Sequence, residues 1–240
     1  LMTAGSAVVC GSEMSAILLR SDAVLLIVLL VAAMEPPPAV ACAVAAPFRG
    51  VHGGTFISTG DPPLCLSVAR RLRYLGSFQF NLGSVARVER YVFADSAGGR
   101  VRRMLILQFE GILPSSDEIY RYPIRTPAAL AGVDYQHDVF FDSVEKDIAE
   151  APGAETAHTV AFLRGKGLHL DDEQMFSRFA RPVGPDRKHE LIFFYQEPVR
   201  TTGHVLSEVS RDGRALPEFR ALAEALDVHA RAAFALRASH

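Results

Sequence analysis

The sequence predicts an α+β fold: an antiparallel β-sheet with packed helices and a long C-terminal helix. Three observations carry that expectation. Segments Arg87–Ala94, Arg100–Leu113 and His189–Glu197 are rich in β-branched, aliphatic and aromatic residues and are bounded by turn residues. Strand-like and helix-like segments come in blocks, without the regular βαβ alternation of a doubly wound parallel sheet. At the C-terminus, Phe219, Leu222, Leu226, Ala230 and Ala233 recur at helical spacing.

Taken in order, residues 46–66 carry Gly50, Gly53, Gly54, Gly60, Pro62 and Pro63 and read as an irregular arm with a short strand at Thr55–Ser58. Ser77–Leu82 reads as a strand turning at Gly83-Ser84. Arg87–Ala94 and Arg100–Leu113 form a hairpin through Asp95-Ser96-Ala97-Gly98-Gly99, whose glycines accept positive φ. In its second strand Val101, Leu105, Leu107 and Phe109 share one face, and Met104 and Ile106 the other, so its middle is covered on both sides. Pro127–Gly132 is expected to form a short helix and Tyr135–Asp142 a strand. Ala154–Arg164 reads as a helix ending at Gly165-Lys166-Gly167. Asp171 is expected to cap a helix through Arg178, with Asp172 and Glu173 in its first turn. Pro198 limits the strand His189–Glu197, and Val205–Val209 is its expected hairpin partner. After the Asp212-Gly213 turn, Pro217 opens a helix to about Leu236.

The 240 residues are 49% hydrophobic and 22% charged, an ordinary globular composition that excludes a wholly disordered or collagen-like chain. The first 45 residues differ from the rest. Ala23–Met34 is apolar but far shorter than the roughly 20 residues a membrane span needs. Following Arg20, and followed by Glu35-Pro36-Pro37-Pro38 and an Ala43-Val44-Ala45 motif, it reads as a signal peptide with cleavage after Ala45. Residues 46–240 then form a single secreted or periplasmic domain. Cys42 in Ala39-Val40-Ala41-Cys42 offers a poor lipidation site, so any membrane association runs through this segment, uncleaved or lipidated. Removing residues 1–45 takes away Arg20 and three acids and leaves 24 basic and 24 acidic residues, without the basic excess of a nucleic-acid binder. Cys65, among apolar neighbours, reads as a buried inert thiol.

The motifs for a nucleophile elbow, a phosphate loop, a dinucleotide fold or a metal-binding C-x-x-C are absent from the sequence. His189-Glu190 begins like a zinc-protease helix, but Phe193 stands where the second His belongs. No cofactor and no metal site is expected. Glu110 and Glu197 close the two most apolar strands. If those ends met, the carboxylates would push each other's pKa apart and supply an acid and a base, with His137 as a third member. Gln108, Tyr122 and Tyr195 are the corresponding ligand-binding candidates. The function expected first is non-enzymatic binding of a small hydrophobic ligand or a partner protein. The alternatives are a hydrolase or isomerase using Glu110, Glu197 and His137, and a structural envelope protein.

Overall fold

The computed structural model describes residues 48–60, 62–211 and 214–237. The signal-peptide reading, Cys42 and the Asp212-Gly213 turn lie outside them.

Strands come first: β1 Arg49–His52, β2 Thr55–Ser58, β3 Leu64–Val68, β4 Arg73–Leu82, β5 Ala86–Ala97, β6 Arg100–Ile112, β7 Pro127–Leu130 and β8 Val133–Ser143. Helices α1 Val144–Glu150 and α2 Glu155–Gly165 follow, then strands β9 Glu173–Val183 and β10 His189–Pro198. The short helix α3 Leu206–Val209, strands β11 Ser210–Arg211 and β12 Arg214–Ala215, helix α4 Pro217–Ala233 and strand β13 Phe234–Arg237 complete the chain. A seven-stranded antiparallel sheet runs β4-β5-β6-β10-β9-β8-β7, and a four-stranded antiparallel sheet runs β1-β2-β3-β13. The large sheet thus joins two meanders along one seam, β6 against β10.

The two most apolar strands form that seam because both of their faces are buried. Leu105, Leu107 and Phe109 of β6 and Leu191, Phe193 and Tyr195 of β10 are at most 5% exposed. They share a core with Phe56 and Leu66 of the small sheet and Leu226, Ala230 and Ala233 of α4. Ring stacking of Phe193 on Phe234, centroids 5.0 Å apart, ties the sheet centre to the last strand. On the opposite face, Val92, Ala94, Met104 and Ile106 pack against Leu163 and Phe162 of α2. These are called below the α4 face and the α2 face.

The β5–β6 hairpin turns at Gly98 and Gly99, both at positive φ, where a side chain would be strained. Several elements differ from expectation. Residues 171–178 do not form a helix. Glu173–Val183 is a strand between β10 and β8, because Met175, Ser177 and Phe179 alternate with Phe176, Arg178 and Ala180 and both sets meet neighbours. Ser143 N-caps α1, its Oγ accepting the Lys146 N–H at 3.1 Å, and Asp172 adds to that cap: its carboxylate accepts the Ser143 Oγ–H at 2.9 Å and the Glu145 backbone N–H at 2.7 Å. Pro127–Leu130 is an edge strand, turning into β8 through Ala131 and Gly132, both at positive φ; edge position tolerates the missing proline donor. Val205–Val209 supplies a helical turn rather than a partner for β10, whose two edges are already filled by β6 and β9. The supposed irregular arm is the small sheet. Helix α4 stops at Ala233, and Phe234–Arg237 pairs with β3 rather than continuing to Leu236 as helix. Cys65 is disulfide-bonded, not an inert thiol. The other two cysteines of the sequence, Cys10 and Cys42, precede residue 46.

Candidate functional site

Side chains alternate across a strand, so register decides which residues meet. Glu110 of β6 lies opposite Glu190 of β10, Gln108 opposite Ile192 of β10 and Arg90 of β5, and Arg178 of β9 opposite Phe194 of β10 and Asp138 of β8. All point to the α2 face. That face therefore carries a polar half beyond the apolar contact with α2.

Arg90 is 4% exposed and fully engaged. Its guanidinium donates to Gln108 Oε1, to Thr159 Oγ1 and, at 3.1 Å, to the Glu155 carbonyl, and pairs with the Glu155 carboxylate at 2.9 Å. Burial lowers its pKa, and Glu155 and Glu110 oppose that. The Gln108 amide donates to Glu110 Oε1 and Glu155 Oε1. Burial, reinforced by the carboxylates of Glu155 and Glu190, pushes the Glu110 pKa up to about 7; hydrogen bonds from Tyr120 and Gln108 resist the shift. Glu190 is raised by burial too, while the Tyr122 phenol and Arg178 favour its ionised form.

Both phenols come from the connection between β6 and β7, residues 113–126. Tyr120 Oη–H donates to Glu110 Oε2 at 2.9 Å and Tyr122 Oη–H to Glu190 Oε1. Arg187, held at positive φ in the β9–β10 turn, fixes this strap: its side chain donates to the Tyr120 carbonyl at 2.8 Å and the Tyr122 carbonyl at 3.2 Å. The strap thereby crosses one end of the α2 face, latched to two adjacent strands.

Between the strap and α1–α2 the face is concave. A cavity of about 170 Å³ lies among Ile106, Phe140, Val144, Leu170, Phe176 and Phe194, with Arg90, Asp147, Glu155, Thr156, Thr159, Arg178 and Gln196 as its polar wall. Phe140 and Phe176 stack at 4.9 Å. A more open pocket of about 520 Å³ adjoins it, lined by Arg121, Tyr122, Pro123, Arg125, Gln136, Asp138, Ala180, Glu190 and Ile192. Arg178 lines both. Its guanidinium donates to Asp138 Oδ2 at 2.6 Å, which together with the Gln136 amide draws the Asp138 pKa down against burial. The Arg178 Nε–H is buried and has no acceptor. Asp147 at the other end is raised, first by burial and then by the neighbouring Asp142.

The residues singled out from sequence divide between faces. Glu110 joins the network just described. Glu197 lies on the α4 face, at the opposite end of the seam, where its Oε1 accepts from Arg103 Nε at 3.1 Å and Tyr195 Oη and approaches His229 Nδ1 at 3.2 Å. His137 is also on the α4 face. The structure does not bring Glu110 together with Glu197 and His137, so the convergence expected of an acid, a base and an imidazole is corrected. Tyr122 lines the outer pocket; Gln108 is fully buried behind Arg90 and Glu155, to which it is hydrogen-bonded, and Tyr195 is a core residue of the other face. His137 has Ser177 Oγ at 3.0 Å and Asp227 Oδ1 at 3.2 Å, but both approach Nε2. A nucleophile relay needs one partner on each ring nitrogen, so this is not a Ser-His-Asp triad. The Asp227 contact lacks hydrogen-bond geometry, since Oδ1 has no hydrogen-bond partner. Burial lowers the His137 pKa.

Sequence reasoning missed Arg178, Phe176, Glu190 and Glu155. The first two were hidden by reading residues 171–178 as a helix, although their alternation with Met175 and Ser177 was the available signal. Among the described residues no group of three or more His, Cys, Asp or Glu could hold a metal ion, and no helix is long and apolar enough to cross a membrane. No family model, curated protein or solved structure matches the chain.

Proposed function

We propose that this is an exported binding protein that holds a small, largely apolar molecule in the groove between α1–α2, the sheet and the strap. The observation that carries the reading is the 170 Å³ cavity floored by Phe140, Phe176 and Phe194. An apolar cavity of about 150 Å³ is large enough to take a benzene ring, and a few polar groups around apolar walls are what orient a ligand. Export rests on the apolar segment of residues 1–45; cleavage after Ala45 is not part of this reading, since it would remove both cysteines that could pair with Cys65 within the chain. The facing carboxylates under the strap, Glu110 and Glu190, are occupied by two phenols, which favours a structural latch over acid–base chemistry at that pair.

The test has two arms. Protein purified from its native compartment is extracted and analysed by mass spectrometry for a bound small molecule. In parallel, toluene is titrated into ¹⁵N-labelled protein; shifts should concentrate at Phe140, Phe176 and Phe194, and Val144→Phe, which fills the cavity, should abolish them. Shifts spread over the surface, or unchanged in the filled variant, refute the groove.

A further inference from the structure

We propose that the groove takes a neutral one-ring phenol, its ring among Phe140, Phe176 and Phe194 and its hydroxyl donating to Oε1 of Gln196. This rests on the groove reading above and specifies its ligand class.

The acceptor is set by a relay of two buried amides. Asp171, whose carboxylate holds Arg100 at 3.0 Å and also Arg200, presents its carbonyl to Gln174. Gln174, fully buried, donates its Nε2–H to that carbonyl at 2.8 Å, which leaves its Oε1 as an acceptor on the other side of the amide. That oxygen accepts from Gln196 Nε2 at 3.4 Å, so the Gln196 amide is oriented in turn, with its own Oε1 on the side away from Gln174. Gln196 lines the inner cavity, whereas Gln174 does not. No described residue donates to Gln196 Oε1. Nor is this oxygen sealed: among the described residues, the sealed polar side-chain atoms without a partner are Arg178 Nε, Arg181 Nε and Asp227 Oδ1. Gln196 is only 3% exposed, so the oxygen opens into the space that Gln196 lines. An oriented acceptor in a largely buried side chain is costly to leave unpaired, and a ligand donor would satisfy it.

The rest of the inner wall selects the same kind of group. The Thr156 hydroxyl is committed to Asp147 Oδ2 at 3.2 Å and the Thr159 hydroxyl to the Glu155 carbonyl at 2.9 Å. The Arg90 guanidinium is engaged by Gln108, Thr159 and Glu155. Arg178, at the junction with the outer pocket, is the wall's remaining charged donor, and one of its terminal nitrogens serves Asp138. Charge is balanced, with Arg90 and Arg178 against Asp147 and Glu155, so the wall selects neither an anion nor a cation. A hydroxyl supplies the donor without a charge, and a phenol keeps its proton near neutral pH, as a tyrosine side chain does. The volume, about 170 Å³, suits one ring rather than a fatty chain or a fused system. The stacked Phe140 and Phe176 rings and the Phe194 ring offer aromatic faces and edges to it.

The experiment titrates the full chain at neutral pH with phenol, anisole and toluene, following the backbone amides and the side-chain amide resonances of Gln196. Phenol should shift the Gln196 side chain and bind at least tenfold more tightly than toluene, because a site that pairs with a hydroxyl rejects the analogue lacking it. Anisole keeps the oxygen but has no proton to donate, and should bind no better than toluene. Gln196→Met replaces the amide by an apolar chain of similar length; it should weaken phenol at least tenfold and leave toluene as tight or tighter. The wild-type Gln196 shift and the difference between phenol and anisole decide the matter even if that variant fails to fold. Phenol no tighter than anisole or toluene, an unmoved Gln196 amide, or a folded Gln196→Met protein that keeps its phenol affinity overturns the hydroxyl contact while leaving the groove intact. Binding of none of the three overturns both.

Discussion

Replacing Glu110 by Gln should stabilise the protein at alkaline pH and leave it almost unchanged in mild acid. Glu110 is 8% exposed, and burial beside Glu155 and Glu190 moves its pKa from 4.5 to about 7. Between those values the folded protein holds a proton that the unfolded chain releases. Stability must therefore fall as pH rises from about 4.5 to about 7, and the cost is complete above the folded value. At about 1.36 kcal/mol per pH unit the displacement amounts to roughly 3 kcal/mol. Like the protonated carboxyl, glutamine keeps one oxygen to accept from Tyr120 and turns a donor toward the Gln108 amide, so the two share one hydrogen-bond pattern. The variant should match the wild type within about 0.5 kcal/mol at pH 4, where the carboxyl is protonated in the folded protein and mostly so in the unfolded chain, and exceed it by roughly 3 kcal/mol at pH 8. Urea unfolding followed by far-ultraviolet circular dichroism suits a chain without tryptophan. Parallel pH profiles for the two proteins, or a difference between them that shrinks from pH 5 to pH 7, would refute the account of this cluster.

Phe193→Ala should cost roughly 3–5 kcal/mol in the same assay, since the ring is fully buried between Tyr135 and Phe234 and its removal leaves a cavity. The double substitution Tyr120→Phe with Tyr122→Phe removes both latches; amide exchange of residues 113–126 should accelerate while that of β6 and β10 keeps its protection, and equal exchange in both proteins counts against the latch. Cys65 in denatured full-length protein should be alkylated only after reduction. Alkylation without reduction argues against the bond, and cleavage after Ala45 would produce that result, because both other cysteines lie upstream.

How far the sequence reached depended on whether a signal was local. The β5–β6 hairpin announced itself through Gly98-Gly99 between two apolar strands, and β10 through five successive nonpolar or aromatic residues. Residues 171–179 were ambiguous. Acids ahead of Met175, Phe176 and Phe179 satisfy a helix start as well as a strand, and only pairing on both edges selects the strand. Asp172 illustrates the same point, since the helix it caps lies earlier in the chain. At the site, Glu110 was recognisable as an acid at the end of a buried strand, but its neighbour is fixed by register. Because Glu110 pairs with Glu190, even-numbered residues of both strands share a face, and Glu197 must take the other. The groove itself was not legible, being made by strands, a strap and two helices that meet only in the folded molecule.

The pairing of β13 with β3 has a consequence for how the chain is made. Phe234–Arg237 is the last described element, yet it covers an edge of a sheet whose other strands come from the first described residues. Until those final residues are available, the backbone groups of Leu64–Val68 on that side stay unpaired, an open template for another extended chain. The small sheet therefore closes last, across a very long loop, which predicts slow completion of folding and a vulnerable interval before it. On the export reading proposed above, such an order would cost the chain nothing, because β13 cannot pair with β3 until residues 234–237 have themselves crossed.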